Sequence, residues 1–187
     1  MCCEATCGRT TTITPAEPNG RTQMNSSESA SGADGLSVPV PDPDPDRVRE
    51  RFAMVHPLRV RWAEADMQGV VFNAHYLAYF DVAITEYWRV LAKGETDWLH
   101  QTLDRIYVVK STIEFHGPAR FDDELVVAAR CTRLGRASLS FDFEIRRGAD
   151  HLVTGQSIYV HAQEGRSVPI PEDLRRRIHS FEPVPPL

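Results

Sequence analysis

The stretch that decides the fold is NAHYLAYFDVAITEYWRVLAK, residues 73–93. Its apolar residues recur at steps of three and four, which is the spacing of one face of an α-helix. Asn73 is predicted to be the N-cap of this helix, and Gly94 follows at the position where a C′ glycine ends many helices. The helix therefore needs a partner surface for one continuous apolar stripe, which consists of Tyr76, Phe80, Ala83, Ile84, Tyr87 and Leu91.

Downstream of the helix the apolar pattern changes to period two. It is clearest in SLSFDFEIR, residues 138–146, where apolar and polar side chains alternate. Such alternation predicts a half-buried antiparallel strand. A short C-terminal helix is predicted to start at Pro171. Turn residues separate the other predicted strands, which are 58–62 before the helix and 106–116, 124–134 and 152–162 after it.

The predicted order is one strand, the long helix and then four strands in an antiparallel meander. Because the concave face of the sheet is the natural partner of the helix, we expect an α+β fold with a five-stranded antiparallel sheet wrapped around one long central helix. Residues 1–47 are rich in Ser, Pro, Asp and Gly and are predicted to form a disordered tail. The domain is expected to span residues 48–182, followed by an irregular tail at 183–187.

Composition argues against several classes of protein. A net charge of −5 disfavours a nucleic-acid partner held by a large positive field. No apolar run approaches the roughly 20 residues that span a bilayer, and no secretory signal is recognised, so a cytoplasmic location is expected. The cysteines are Cys2, Cys3, Cys7 and Cys131, and they lack the spread of a disulfide framework. The three near the N-terminus lack a fourth ligand, and no metal or cofactor is expected.

A carboxylate precedes the helix in ADMQGVVFN, residues 65–73. Asp66 lies seven residues before Asn73, and Gly69 permits a tight turn between them. The first amides of a helix have no internal partner and carry partial positive charge, so they can polarise a carbonyl group. Asp66 can then act on the carbonyl carbon, either directly or through a water molecule. Its position alone leaves open a purely structural role at the helix dipole.

The segment DMQGVVFNAHYLAYFDVAITEYWR, residues 66–89, resembles the signature of the 4-hydroxybenzoyl-CoA thioesterase family in the hotdog superfamily. That signature has Asp, then Gly three residues later, two apolar residues and a Tyr in the following helix. The similarity covers about residues 58–180 and continues in IEFHGPARFDDEL (113–125), LGRASLSFDFEI (134–145) and EGRSVPIPEDLRRRI (164–178). The resemblance implies the hotdog fold and hydrolysis of acyl-CoA thioesters.

The resemblance also implies roles for individual residues. Asp66 is expected to be the nucleophile or general base, the main-chain N–H of Asn73 the donor to the thioester oxygen, and Gly69 the turn residue. One branch of the family, associated with the Tol-Pal envelope system, has His where this chain has Asn73, so its substrate range is not transferred. The expected substrate-binding residues are Trp62, Val70, Phe72, His75 and Tyr76 around the acyl group, with Arg133, Arg136 and Arg166 at the CoA phosphates.

The expected activity is hydrolysis of acyl-CoA to a free carboxylic acid and CoA. The resemblance implies a homodimer or homotetramer with sites between subunits. Two alternatives stay open, an acyl-ACP thioesterase and a non-enzymatic acyl-binding hotdog domain. A hotdog dehydratase is disfavoured because its catalytic His motif is not recognised. The three arginines are equally compatible with solvated turn charges.

Overall fold

The structure, a computed structural model, describes residues 45–187 of the chain. The tail expected for residues 1–47 lies outside the described residues, except for the start of the first helix at Pro45, and its disorder stays a prediction. The elements in chain order are α1 (Pro45–Arg51), β1 (Met54–Arg59), a 3-10 turn (Trp62–Glu64), α2 (Asn73–Ala92), α3 (Thr96–Leu103), β2 (Ile106–Phe115), β3 (Glu124–Leu134), β4 (Ser138–Arg147), β5 (Asp150–Gln163), β6 (Arg166–Ser167) and α4 (Glu172–Phe181).

The described strands form an antiparallel sheet in the order β1-β3-β4-β5-β2, with the short β6 paired to β5. The expected α+β arrangement of five main strands and one long helix is confirmed. The predicted four-strand meander is wrong for β2, which pairs with β5 and not with its sequence neighbour β3. The reason is that β1 and β4 occupy the two edges of β3, so β2 takes the free edge of β5.

The first strand lies earlier than predicted. It runs from Met54 to Arg59 and passes through Pro57, whereas residues 58–62 were expected. Proline is tolerated because β1 is an edge strand, where one row of backbone groups needs no partner. The chain leaves the sheet at Val60, whose N–H donates to Asp123 O at 3.0 Å, and then forms the 3-10 turn.

Helix α2 covers the predicted stretch, but its start differs in detail. Phe72, with extended backbone, is the N-cap, so Asn73 is the first helical residue and not the capping one. Lys93 closes the helix in a left-handed conformation, and Gly94 follows with φ +90°. The helix α3 was not predicted, because its eight residues are too few for the periodic pattern to show.

The inner face of the sheet packs on α2, as predicted. Every residue of the predicted helix stripe is buried, and the inward side chains of β4 face it. The Phe80 and Phe143 rings stack at 4.4 Å between centroids, and aromatic pairs of this kind add about 0.5–1.5 kcal/mol beyond burial. A Cβ at Gly155 would lie 2.3 Å from the Phe80 ring, so only glycine fits behind it.

The ends of the described chain also pack on the sheet. Val48 and Phe52, at α1, form a small buried cluster with Ala128 of β3. At the other end, the irregular tail at 183–187 returns to β3, where Leu187 N–H donates to Thr132 O at 3.0 Å. Within residues 45–187, no helix has the length and apolar character needed to cross a bilayer.

Candidate active site

Asp66 sits in a tight turn that connects the 3-10 turn to α2. Its N–H donates to Val70 O at 2.8 Å, and the Gly69 N–H donates back to Asp66 O at 2.9 Å. Gly69 has φ +73°, a conformation that favours glycine. The carboxylate is half-buried, and its Oδ1 accepts the Gln68 N–H at 2.8 Å. From the described residues, Oδ2 receives no hydrogen bond, so the turn orients the group and leaves one oxygen available.

The start of α2 presents a main-chain amide beside this turn. Asn73 is the first helical residue, and the next hydrogen bond at this end is from His75 N–H to Phe72 O at 2.9 Å. The Asn73 N–H has no hydrogen-bond acceptor in the part of the chain that the structure describes. It is therefore one of the unpaired amides at the positive end of a 20-residue helix.

Glu64 fixes the geometry between the turn and the helix. Its backbone carbonyl accepts the Phe72 N–H at 2.9 Å, and its buried carboxylate accepts the Tyr79 hydroxyl and the Arg61 N–H, both at 2.7 Å. Burial, followed by the hydrogen bond to Glu64, raises the pKa of Tyr79 far above its ordinary value. The phenol therefore stays a hydrogen-bond donor, and both ends of the Asp66 turn are held against α2.

A cleft of about 440 Å³ opens at the helix start. The predicted site residues Val70, Asn73 and Tyr76 lie in its wall, and Asp66 is in the adjoining turn, four residues before Val70. The Tyr76 hydroxyl accepts the Ala119 N–H at 3.1 Å, which ties the opposite wall to α2. The remaining wall residues are Val71, Phe115, His116, Gly117 and Pro118.

The predicted aromatic residues Trp62 and Phe72 lie outside this cleft. Trp62 is 77% exposed and contacts Phe121 edge-to-face at 5.0 Å. Phe72 is about half exposed, and its ring lies 6.4 Å from that of His75. His75 is likewise absent from the wall of this cleft.

The three predicted phosphate-binding arginines are grouped at the opposite end of the sheet. Arg133 lies near the end of β3, Arg136 is in the β3–β4 turn, and Arg166 is in β6. The β3–β4 turn contacts β5, because the His161 N–H donates to the carbonyl oxygen of Ala137, next to Arg136. His161 in turn pairs with Ile106, so the arginines lie at the Ile106 end of β2. The cleft is at the Phe115 end of the same strand, roughly 30 Å away at about 3.3 Å per residue. Within one chain, the arginines and the cleft are therefore not brought together.

Sequence reasoning missed two residues close to the site. Arg120, in the β2–β3 loop, donates from Nη1 to Gly69 O at 3.3 Å and supports the turn from outside. His116 lies in the cleft wall. Both lie in the segment 113–125 that resembles the family, but the sequence does not mark them as site residues. The hydrogen bond from Val71 N–H to Ala119 O at 2.8 Å brings their loop to the start of α2. Within the described ranges, no group of three His, Cys, Asp or Glu side chains could hold a metal ion.

An antiparallel sheet wrapped around one long helix, with a carboxylate turn at the helix start, defines a hotdog-fold protein of the thioesterase type. The family model described as "Thioesterase superfamily" matches residues 68–154. The acyl-CoA thioester hydrolase YbgC of Escherichia coli O157:H7 is 30% identical over 104 residues, which cover 56% of this chain and 77% of that protein. The chain therefore belongs to the thioesterase superfamily.

Two further relatives agree with this assignment. The acyl-CoA thioesterase YbgC of Haemophilus influenzae is 27% identical over 128 residues, which cover 67% of this chain and 94% of that protein. The crystal structure of a thioesterase from Thermus thermophilus, complexed with coenzyme A and Zn, aligns with a TM-score of 0.66 at 29% identity. That alignment covers 73% of this chain and 98% of the other. The expected hotdog fold is thereby confirmed.

Proposed function

We propose that this protein hydrolyses acyl-CoA thioesters to free carboxylic acids and CoA. The observation that carries the proposal is the meeting of the Asp66 turn and the unpaired Asn73 amide beside an apolar cleft. The names of the relatives, acyl-CoA thioester hydrolase and acyl-CoA thioesterase, agree with this chemistry. The acyl group would occupy the cleft, with Val70 and Tyr76 in its wall.

The proposed reaction uses Asp66 as nucleophile or general base and the Asn73 amide as oxyanion donor. The thioester oxygen becomes negative in the tetrahedral intermediate, and the helix N-terminus stabilises that charge. Removal of a single oxyanion donor typically costs about 3–4 kcal/mol of transition-state stabilisation. Gly69 supports the same geometry, because its positive φ lets the chain double back between the two groups.

We propose further that the active form is at least a dimer, formed through β2. This ten-residue strand lies at the edge of the sheet and exposes Tyr107, Val108, Val109 and Phe115 to more than half of their surface. A long apolar edge is a ready template for pairing with another chain. If two copies pair antiparallel around Ser111, the arginine end of the partner's sheet comes beside the cleft. This assembly supports the phosphate-binding role of the arginines, which one chain cannot provide.

The proposal is tested with purified protein against a panel of acyl-CoA and acyl-ACP substrates. Asp66→Ala and Asp66→Asn should fold normally and lose at least about a hundredfold in kcat/KM, the scale of positioned acid–base groups. The matched control is Asp97→Asn, an exposed carboxylate on α3, which should leave activity unchanged. Near-normal turnover by either Asp66 variant would exclude the catalytic role. Preference for acyl-ACP would favour the carrier-protein alternative, and binding without turnover the acyl-binding domain.

A further inference from the structure

His116 lies directly after β2, where it faces the same cleft as Asn73. Its backbone N–H donates to Leu152 O at 2.9 Å, which fixes the residue to the start of β5. The side chain is exposed, so it can exchange protons with solvent. The roles proposed above for Asp66 and Asn73 do not use it, and they leave open which group protonates the departing sulfur.

The imidazole belongs to a short hydrogen-bonded chain. His116 Nε2 is 2.9 Å from Thr154 Oγ1, which is 3.1 Å from His151 Nε2. His151 Nε2 is also 3.0 Å from the carbonyl oxygen of Val153, which can only accept. His151 Nε2 must therefore carry a proton. Thr154 then accepts from His151 and donates its own hydroxyl proton to His116 Nε2.

This chain determines where His116 carries its proton. When the ring is neutral, Nε2 accepts from Thr154 and Nδ1 is protonated. When the ring is cationic, Nε2 donates to Thr154, whose oxygen has two lone pairs and can accept from both histidines. No hydrogen bond joins Nδ1 to another residue in 45–187. The hydroxyl rotation of Thr154 thus supports both protonation states and holds the ring through Nε2, which leaves Nδ1–H for a ligand.

The surroundings favour one charge on the pair of rings. Burial, as the largest cause, lowers the pKa of His151, and Arg146 and His116 lower it further while Glu144 raises it. Glu144 of β4 is itself paired with Arg51 of α1 at 3.0 Å. From β2, Glu114 shares an outer groove with Thr154. The ring centroids are 4.8 Å apart, so two cations would repel each other.

We propose that His116 is a catalytic general acid that protonates the thiolate leaving group, an inference that rests on the proposed thioester hydrolysis. When the C–S bond breaks, its electron pair leaves with sulfur, and the Nδ1 proton of the imidazolium moves to that sulfur to give the thiol. The entering water supplies an oxygen of the new carboxylate. One of its protons passes to Asp66 and from there, through solvent, restores the imidazolium of His116, and the other is released when the carboxylic acid ionises.

The test compares two thioesters of the same acyl group, one of N-acetylcysteamine and one of thiophenol. Thiophenolate leaves without protonation, whereas an alkyl thiolate benefits from an acid. His116→Gln should lower kcat/KM about a hundredfold for the alkyl thioester and less than about threefold for the aryl one. The wild-type rate with the alkyl thioester should fall at alkaline pH, where the imidazolium is lost, and this limb should be absent in the variant.

Thr154→Val and His179→Gln complete the design. Thr154→Val should lose more activity on the alkyl thioester than on the aryl one, but less than His116→Gln does. His179→Gln, at an exposed position of α4, should lose activity on neither. Equal losses on both thioesters, or no loss, would overturn the general-acid role of His116. If His116→Gln does not fold, the ratio for Thr154→Val decides in its place. A wild-type protein inactive on every thioester would instead overturn the proposed function itself.

Discussion

The hydroxyl of Tyr87 donates a 2.7 Å hydrogen bond to the buried carboxylate of Glu182, which joins the central helix to the residue that follows α4. Glu182 is 6% exposed, and its Oε1 also accepts the Cys131 N–H at 2.6 Å. Within residues 45–187, Oε2 has no hydrogen-bond partner. Burial, as the dominant cause, raises the pKa of Glu182 despite these two hydrogen bonds.

Glu182→Gln should change how stability depends on pH. A carboxyl group with a raised folded-state pKa stabilises the fold below its unfolded pKa, and this contribution is lost as the pH rises through the folded pKa. The amide of Gln does not titrate, so its melting temperature relative to wild type should increase from acidic to neutral pH. Thermal unfolding at several pH values in that range measures the difference in melting temperature. Glu50→Gln, at an exposed position of α1, is the control. A constant difference would show that the pKa of the carboxyl group is the same in the folded and unfolded states.

Glu182→Ala should be destabilising at every pH. It leaves the Tyr87 hydroxyl and the Cys131 N–H buried without an acceptor, at a cost of about 1–3 kcal/mol for such a group. Denaturant unfolding gives the free energy, and retention of wild-type stability would mean that water replaces the carboxylate.

Asn73→Pro removes the proposed oxyanion donor without breaking the helix. Proline is favoured at the first helical position, and Phe72 already has the extended backbone that a following proline requires. We expect kcat/KM to fall about 10²–10³-fold at an unchanged melting temperature. Asn73→Ala keeps the N–H and should retain most of the activity. If Asn73→Pro and Asn73→Ala behave alike in turnover, the amide does not contact the thioester oxygen.

Val109→Lys should separate the proposed dimer. Val109 is 61% exposed at the bulge in β2, and with pairing around Ser111 each lysine would lie opposite Ile113 of the partner subunit, close to the twofold axis. Burying an unpaired charge in an interface costs several kcal/mol, so the dimer should weaken at least about tenfold, with a parallel loss of activity. Analytical ultracentrifugation measures the association, and Val184→Lys in the C-terminal tail is the control. An active monomer would contradict the need for two subunits.

The sequence predicted the parts of the fold that depend on local periodicity. The three- and four-residue spacing in α2 and the alternation Leu139, Phe141, Phe143, Ile145 in β4 give the buried faces that the structure has. The pairing of β2 with β5 was missed, because the choice of a strand edge depends on which edges other strands already occupy. The start of α2 at Asn73 was predicted, although its capping by Phe72 depends on a backbone hydrogen bond to Glu64 that spacing alone does not reveal.

The candidate site was predictable only where a motif exists. Asp66, Gly69 and Asn73 belong to one continuous segment, so their proximity follows from the sequence. His116 and Arg120 reach the same region through the fold, and the segment 113–125 that contains them does not mark them as site residues. The positions of Arg133, Arg136 and Arg166 show the converse, because residues assigned to one site by resemblance lie far from the cleft within a single chain. The catalytic and substrate-binding assignments, the assembly and the cytoplasmic location stay predictions.

Glu64 holds the Asp66 turn through two hydrogen bonds, one to its backbone carbonyl and one to its carboxylate. The position of the turn is therefore independent of the side chains at its exposed tip. Since Glu64 binds both Phe72 and Tyr79, the loop between Glu64 and Phe72 is held at both ends against the start of α2. Met67 lies in this loop, and its fully exposed side chain projects into solvent. Substitution of Met67 should therefore leave the register between Asp66 and Asn73 unchanged.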